Sequence, residues 1–170
     1  MNSKVFMSED LLFILEYSIY AKRFGAIEEN LYYYNRLNEK SISSNVNISY
    51  LENYKILIDN MQKLLIELNM QQELIDNTVV SKVQSLVNRI LIGESNNYLK
   101  KRDKGQFINN VKLVTENSFI NGYIYILKDN NKIDKIQNKY LKSKKYNKLL
   151  YFNVIIIFIK SLKDKILRRA

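Results

Sequence analysis

The chain has 170 residues, room for one domain, with no Cys, no His, no Pro, four Gly and a formal charge of +10. The missing Cys and His exclude disulfides, thiolate and imidazole metal sites, a Cys nucleophile and Ser–His catalysis, leaving acid–base work to Asp, Glu, Lys or Tyr. Charge is unevenly spread: residues 1–95 hold nine Lys and Arg against twelve Asp and Glu, and residues 96–170 eighteen against five, so the second half is the part that would meet an anionic surface.

Scarce Gly and absent Pro favour long helices over a turn-rich β fold. Residues 8–24 read as the first helix, with Ser8 as N-cap, Glu9 and Asp10 in the first turn, and Gly25 as a stop. Leu11 to Leu15, Tyr17, Ile19 and Tyr20 are apolar on every face, the pattern of a buried helix. Ala26-Ile27-Glu28 and Leu31-Tyr32-Tyr33-Tyr34 read as two short strands around a Glu29-Asn30 turn, a hairpin that needs a larger sheet to join. Residues 35–48 are polar and read as loop.

A capping box, Ser49-Tyr50-Leu51-Glu52, then opens an amphipathic helix with its stripe at Leu51, Tyr54, Leu57, Ile58, Met61, Leu64, Leu65 and Leu68. A second stripe, Ile75, Val79, Val83, Leu86, Val87, Ile90 and Leu91, is expected to end at Gly93 and to pair antiparallel with the first. Both stripes read as core rather than as an oligomer seam. Phe107, Ile108, Val111 and Val114 are helically spaced, Phe119–Leu127 is open between helix and strand, and Ile133, Ile136 and Tyr140 mark a short helix. Lys142, Lys144, Lys145 and Lys148 lead into the apolar run Leu149–Ile159. The run holds Asn153 and falls short of the ~20 apolar residues a membrane-spanning helix needs. Heavy use of Asn, Lys, Ile and Tyr reads as coding bias, so single Asn and Lys residues are weak indicators of function.

The first 35 residues offer more apolar surface than the one-faced helices after them would cover. A sheet-containing layer on the N-terminal side would explain the difference. The residues that carry a resemblance lie in the same stretch: Ser8-Glu9-Asp10-Leu11-Leu12-Phe13, Leu15-Glu16-Tyr17, Tyr20-Ala21-Lys22-Arg23, then Ile27, Glu28, Leu31-Tyr32-Tyr33-Tyr34 and Ser41-Ile42-Ser43. Together they resemble the acceptor-site block of family 2 glycosyltransferases that build bacterial surface polysaccharides, over roughly residues 5–43.

That resemblance implies a GT-A fold and an inverting transfer from a nucleotide sugar to a glycan or lipid-linked acceptor. Asp10 stands at the family's general base, with Glu9 beside it. A positioned carboxylate is what a poorly nucleophilic acceptor hydroxyl requires as it attacks the anomeric carbon. On the acid pair alone, helix capping is the simpler reading, and it is compatible with the catalytic one. By resemblance Arg36, Lys40, Ser41 and Ser43 face the donor diphosphate, although Asn35 stands where the family commonly has Arg. Tyr32 to Tyr34 read first as strand packing, with Tyr34 carried as a substrate-side candidate that could stack on a sugar. The family's first strand, uridine-binding acids and Asp-x-Asp metal motif have no counterpart here. A full-length relative would use a divalent metal with its nucleotide sugar, whereas this chain carries no cofactor site. Alone it is expected to be inactive, a truncated product or a half-enzyme with a complementing N-terminal half.

The expected fold is therefore mainly α with a short β-hairpin, the C-terminal part of a GT-A α/β glycosyltransferase lacking the N-terminal nucleotide-binding sheet. Residues 1–47 are the acceptor-side remnant, 48–141 a helical bundle, and 142–170 a basic and apolar tail that reads as a membrane-surface helix. For that tail an anionic membrane ranks first, a solvated face second and nucleic acid last. No signal-peptide pattern is visible, so the default compartment is the cytoplasm, peripheral on the inner face of the membrane. The rival reading is a small basic helical binding protein for membrane or RNA, with no catalytic ancestry.

Overall fold

The computed structural model describes residues 9–23, 25 and 48–167. Among them are seven α-helices and one 3₁₀ turn, and no strand. The helices are α1 Glu9–Tyr20, α2 Leu51–Glu67, α3 Gln72–Lys101, α4 Lys104–Glu116, α5 Ser118–Ile124, α6 Lys132–Lys142 and α7 Tyr146–Leu167. The expected hairpin at 26–28 and 31–34 lies outside the described residues.

The long α3 organises the rest, packing against α2, α4, α5 and α7, while α1 lies on α2 and α6 on α7. Its whole sequence-read stripe, Ile75 through Leu91, is buried, and it meets Leu57, Ile58 and Met61 of α2, Phe107, Val111 and Val114 of α4, Ile120 of α5, and Leu149 and Leu150 of α7 in one core. Phe119–Leu127 resolves as α5 and a turn that returns Leu127 to this core. A buried contact between Thr115 Oγ1 and the Tyr146 hydroxyl, 3.1 Å apart, ties α4 to the start of α7.

The helix ends differ from expectation for an identifiable reason. α3 runs straight through Gly93 to Lys101, because one glycine inside a helix costs only about 1 kcal/mol while Glu94 and Ser95 continue the buried face. It stops instead at Arg102, left-handed at φ 59, whose N–H returns to Tyr98 O at 2.7 Å. α2 and α6 end likewise, on Asn69 at φ 55 and Lys144 at φ 54, each followed by the crossed pair of backbone bonds of a Schellman cap. A residue with a Cβ is strained in this region, so Lys144→Gly should raise stability by up to about 1 kcal/mol, read as a shift of the urea midpoint. An unchanged or lower midpoint would contradict the cap assignment.

At the N-terminal ends, Asp103, Asn117 and Asn131 accept first-turn amides and cap α4, α5 and α6. A 3₁₀ turn, Ile48–Tyr50, leads into α2, with Tyr50 rather than Ser49 at the boundary, in helical geometry and making no side-chain cap bond.

Two helices are oriented otherwise than their apolar residues imply. α1 is not buried: Leu11, Leu12 and Leu15 pack on the core, while Phe13, Ile14, Tyr17 and Tyr20 stand 58–76% exposed. It ends at Tyr20, short of Gly25, where Lys22 and Arg23 offer no further apolar face. α6 turns Asp134, Gln137, Asn138 and Leu141 inward and leaves Ile133 exposed, because facing amides on α3 and α7 supply hydrogen bonds to its polar side. Between α2, α3 and α5, burial and then the Asp59 and Asp76 carboxylates raise the pKa of the Tyr123 phenol, which keeps it protonated at neutral pH.

Candidate functional site

The acid pair opens α1. Glu9 is its first residue, and Asp10, exposed, accepts the Leu11 N–H on Oδ1 at 2.9 Å. One turn on, Phe13 and Tyr17 stack at 6.4 Å and 19°. With Ile14 and Tyr20 they make an outward apolar face on the same helix as the acids. Tyr34, Arg36, Lys40, Ser41 and Ser43, the other candidates, lie outside the described residues, as does Ser8. The structure therefore places Asp10 at an accessible helix start. Among the described residues no three acids stand together as a metal site, and the sequence holds no Asp-x-Asp.

A second feature had no signal in the sequence. A groove of about 490 Å³ opens between the middle of α3, the 127–131 segment, the start of α6 and the outer half of α7. Its floor is a network of amides. Gln84 Nε2 donates to Asn88 Oδ1 at 2.9 Å and to Asn138 Oδ1 at 3.3 Å, while Asn88 Nδ2 donates to Asp134 Oδ1 at 3.0 Å. Asn131 Nδ2 donates to the other carboxylate oxygen of Asp134 at 3.1 Å. Asn138 is held in turn by Lys128 O and Asp129 Oδ1. Deeper, Gln137 donates to Asn153 at 2.8 Å. Gln84 is only 3% exposed, and its Oε1 has no partner, at a cost of about 1–3 kcal/mol for a buried acceptor. Arg89, Lys160, Ser81 and Ser85 stand at the sides.

The third feature is the outward face of α7. Tyr151, Ile155, Phe158, Ile159, Leu162 and Ile166 are 45–68% exposed, and at helical spacing they fall within an arc of about 100°. The opposite face, Leu149, Leu150, Asn153 and Ile156, is buried in the bundle. Lysines accompany the stripe: the exposed Lys144, Lys145 and Lys148 line a small cleft at the α6–α7 turn, Lys163 lies exposed near the far end, and the half-buried Lys104 has its Nζ 5.4 Å from the Tyr151 ring. Among the described residues no helix is long and apolar enough to cross a membrane.

No protein family, curated protein or solved structure matches this chain.

Proposed function

We propose that the chain is the acceptor-side and C-terminal helical portion of an inverting family 2 glycosyltransferase, with the sugar-nucleotide site supplied by residues it does not contain. The observation that carries this reading is α1. A helix that begins with an acid pair keeps half of its apolar residues uncovered, as a helix does when a further layer belongs on that side. In the assembled enzyme the Asp10 carboxylate takes the proton of the acceptor hydroxyl as its oxygen bonds to the anomeric carbon. The carbon–oxygen bond to the nucleoside diphosphate breaks on the opposite face, with inversion.

The test is a chimera in which the nucleotide-binding half of an active family 2 transferase is followed by residues 9–170 of this chain. The expected result is turnover of that half's own nucleotide sugar, with none from the isolated chain. Hydrolysis of a nucleotide sugar by the isolated chain would contradict the division of labour, and a folded but inactive chimera would favour a binding protein without catalytic ancestry.

The α7 face carries the second part of the reading. Six large apolar side chains with lysines on either flank form an interfacial helix rather than a spanning one. An anionic leaflet would place the acceptor site at the lipid surface. Ile155→Asp with Phe158→Asp should weaken sedimentation with phosphatidylserine vesicles by at least about tenfold. The helical circular-dichroism signal should stay unchanged, since both side chains are exposed. Undiminished vesicle binding by the double variant would end this part of the reading.

A further inference from the structure

We infer that the groove between α3, α6 and α7 is a binding site for a small anionic polyol, a hexose phosphate in size and chemistry. Its volume of about 490 Å³ lies within the range of small-molecule sites. The charge of its lining selects the sign of the ligand. Arg89 and Lys160 are exposed cations, and the single acid among the described lining residues, Asp134, is 6% exposed with both oxygens already accepting amide hydrogen bonds from Asn88 and Asn131. Two cations against one carboxylate leave the described lining net positive, and a guanidinium and an ammonium lining one groove suit a phosphate group.

Amides and hydroxyls select the rest. Ser85 and Asn88 offer both donors and acceptors, and Ser81, whose O–H is donated to Asn77 O at 2.8 Å, offers its oxygen as an acceptor, which together match the two-way hydrogen bonding of sugar hydroxyls. Among the described residues the lining holds no aromatic side chain, so they offer a stacked nucleobase no platform. Gln84 holds the polar floor together. It is almost wholly buried, its Nε2 is committed to two protein acceptors, and its Oε1 is an acceptor with no donor.

The site does not depend on Asp10 or on a nucleotide-binding half. It also lies apart from the lipid-facing stripe, because Lys160 falls roughly 150° around α7 from the centre of that stripe.

Isothermal titration calorimetry of the full chain with glucose 1-phosphate, glucose and inorganic phosphate tests the inference. Glucose 1-phosphate should bind more tightly than either glucose or phosphate. Arg89→Ala should weaken it by about tenfold, the effect of losing one charge-assisted contact. Ser85→Trp, which fills the groove from a half-buried position, should abolish it, with circular dichroism of both variants matching the parent. Absence of binding by the parent chain would overturn the inference. So would phosphate binding as tightly as glucose 1-phosphate, or folded variants that bind like the parent.

Discussion

Asp10→Asn, placed in an active chimera, should lower sugar transfer by about 10²–10⁴-fold, the contribution of a positioned general base, with little change in KM for the donor. Asn is nearly isosteric and keeps an acceptor oxygen for the Leu11 N–H, so the start of α1 should persist. A residue that serves only to begin the helix predicts something different: a stability loss of about 1 kcal/mol or less and unchanged turnover. Comparing the turnover of Asp10→Asn with that of Asp10→Glu separates the two. Glu keeps a carboxylate but moves it by a methylene, so it should recover part of the rate if proton transfer is the role and none of it matters if capping is.

The second large effect concerns the bundle. Phe107→Ala should cost about 3–5 kcal/mol, because the ring is 2% exposed in the core that α4 shares with α3 and α7, and truncation leaves a cavity that close-packed helices refill only in part. Urea denaturation followed at 222 nm reads the loss directly. A cost below about 1 kcal/mol would mean that α4 is loosely attached, and that the buried contact from Thr115 to Tyr146 does not hold it.

The helical stripes of α2 and α3 were legible in the sequence because a helix that packs on one side repeats its apolar residues every three or four positions. Leu51, Tyr54, Leu57, Ile58 and Met61 are buried as that spacing implies. α6 was legible as a short helix, but its inward face was not, for the converse reason. Periodicity scores apolar residues as inward, but Asp134, Gln137 and Asn138 find partners on other helices, and only the tertiary structure brings those partners within reach. The same blindness hid the groove. An abundance of Asn that reads as coding bias includes the caps Asn117 and Asn131 and the network residues Asn88, Asn138 and Asn153. Gly93 illustrates the limit of local punctuation, since a long buried face outweighs one weak helix former. On α7, half of an apolar run turned out to be core and half surface, a division that hydropathy alone does not reveal.

Of the candidate site, the acid pair was legible because it sits beside a long apolar helix. Its relation to Arg36, Lys40 and the two serines depends on residues 26–47, which lie outside the described part of the chain. The exposed face of α1 is nevertheless informative. An apolar helix placed at the edge of a bundle, with Asp10 accessible and its aromatic side bare, has the form of an interface.

Hydrogen–deuterium exchange of the 9–20 peptide, compared between the isolated chain and the chimera, tests the central claim most directly. If α1 is the seam on which the nucleotide-binding layer sits, its amides should exchange readily in the isolated chain and become protected in the chimera, while the α3 core stays equally slow in both. Equal exchange of 9–20 in the two proteins, with the chimera folded, would contradict the account, because α1 would then have no layer to meet.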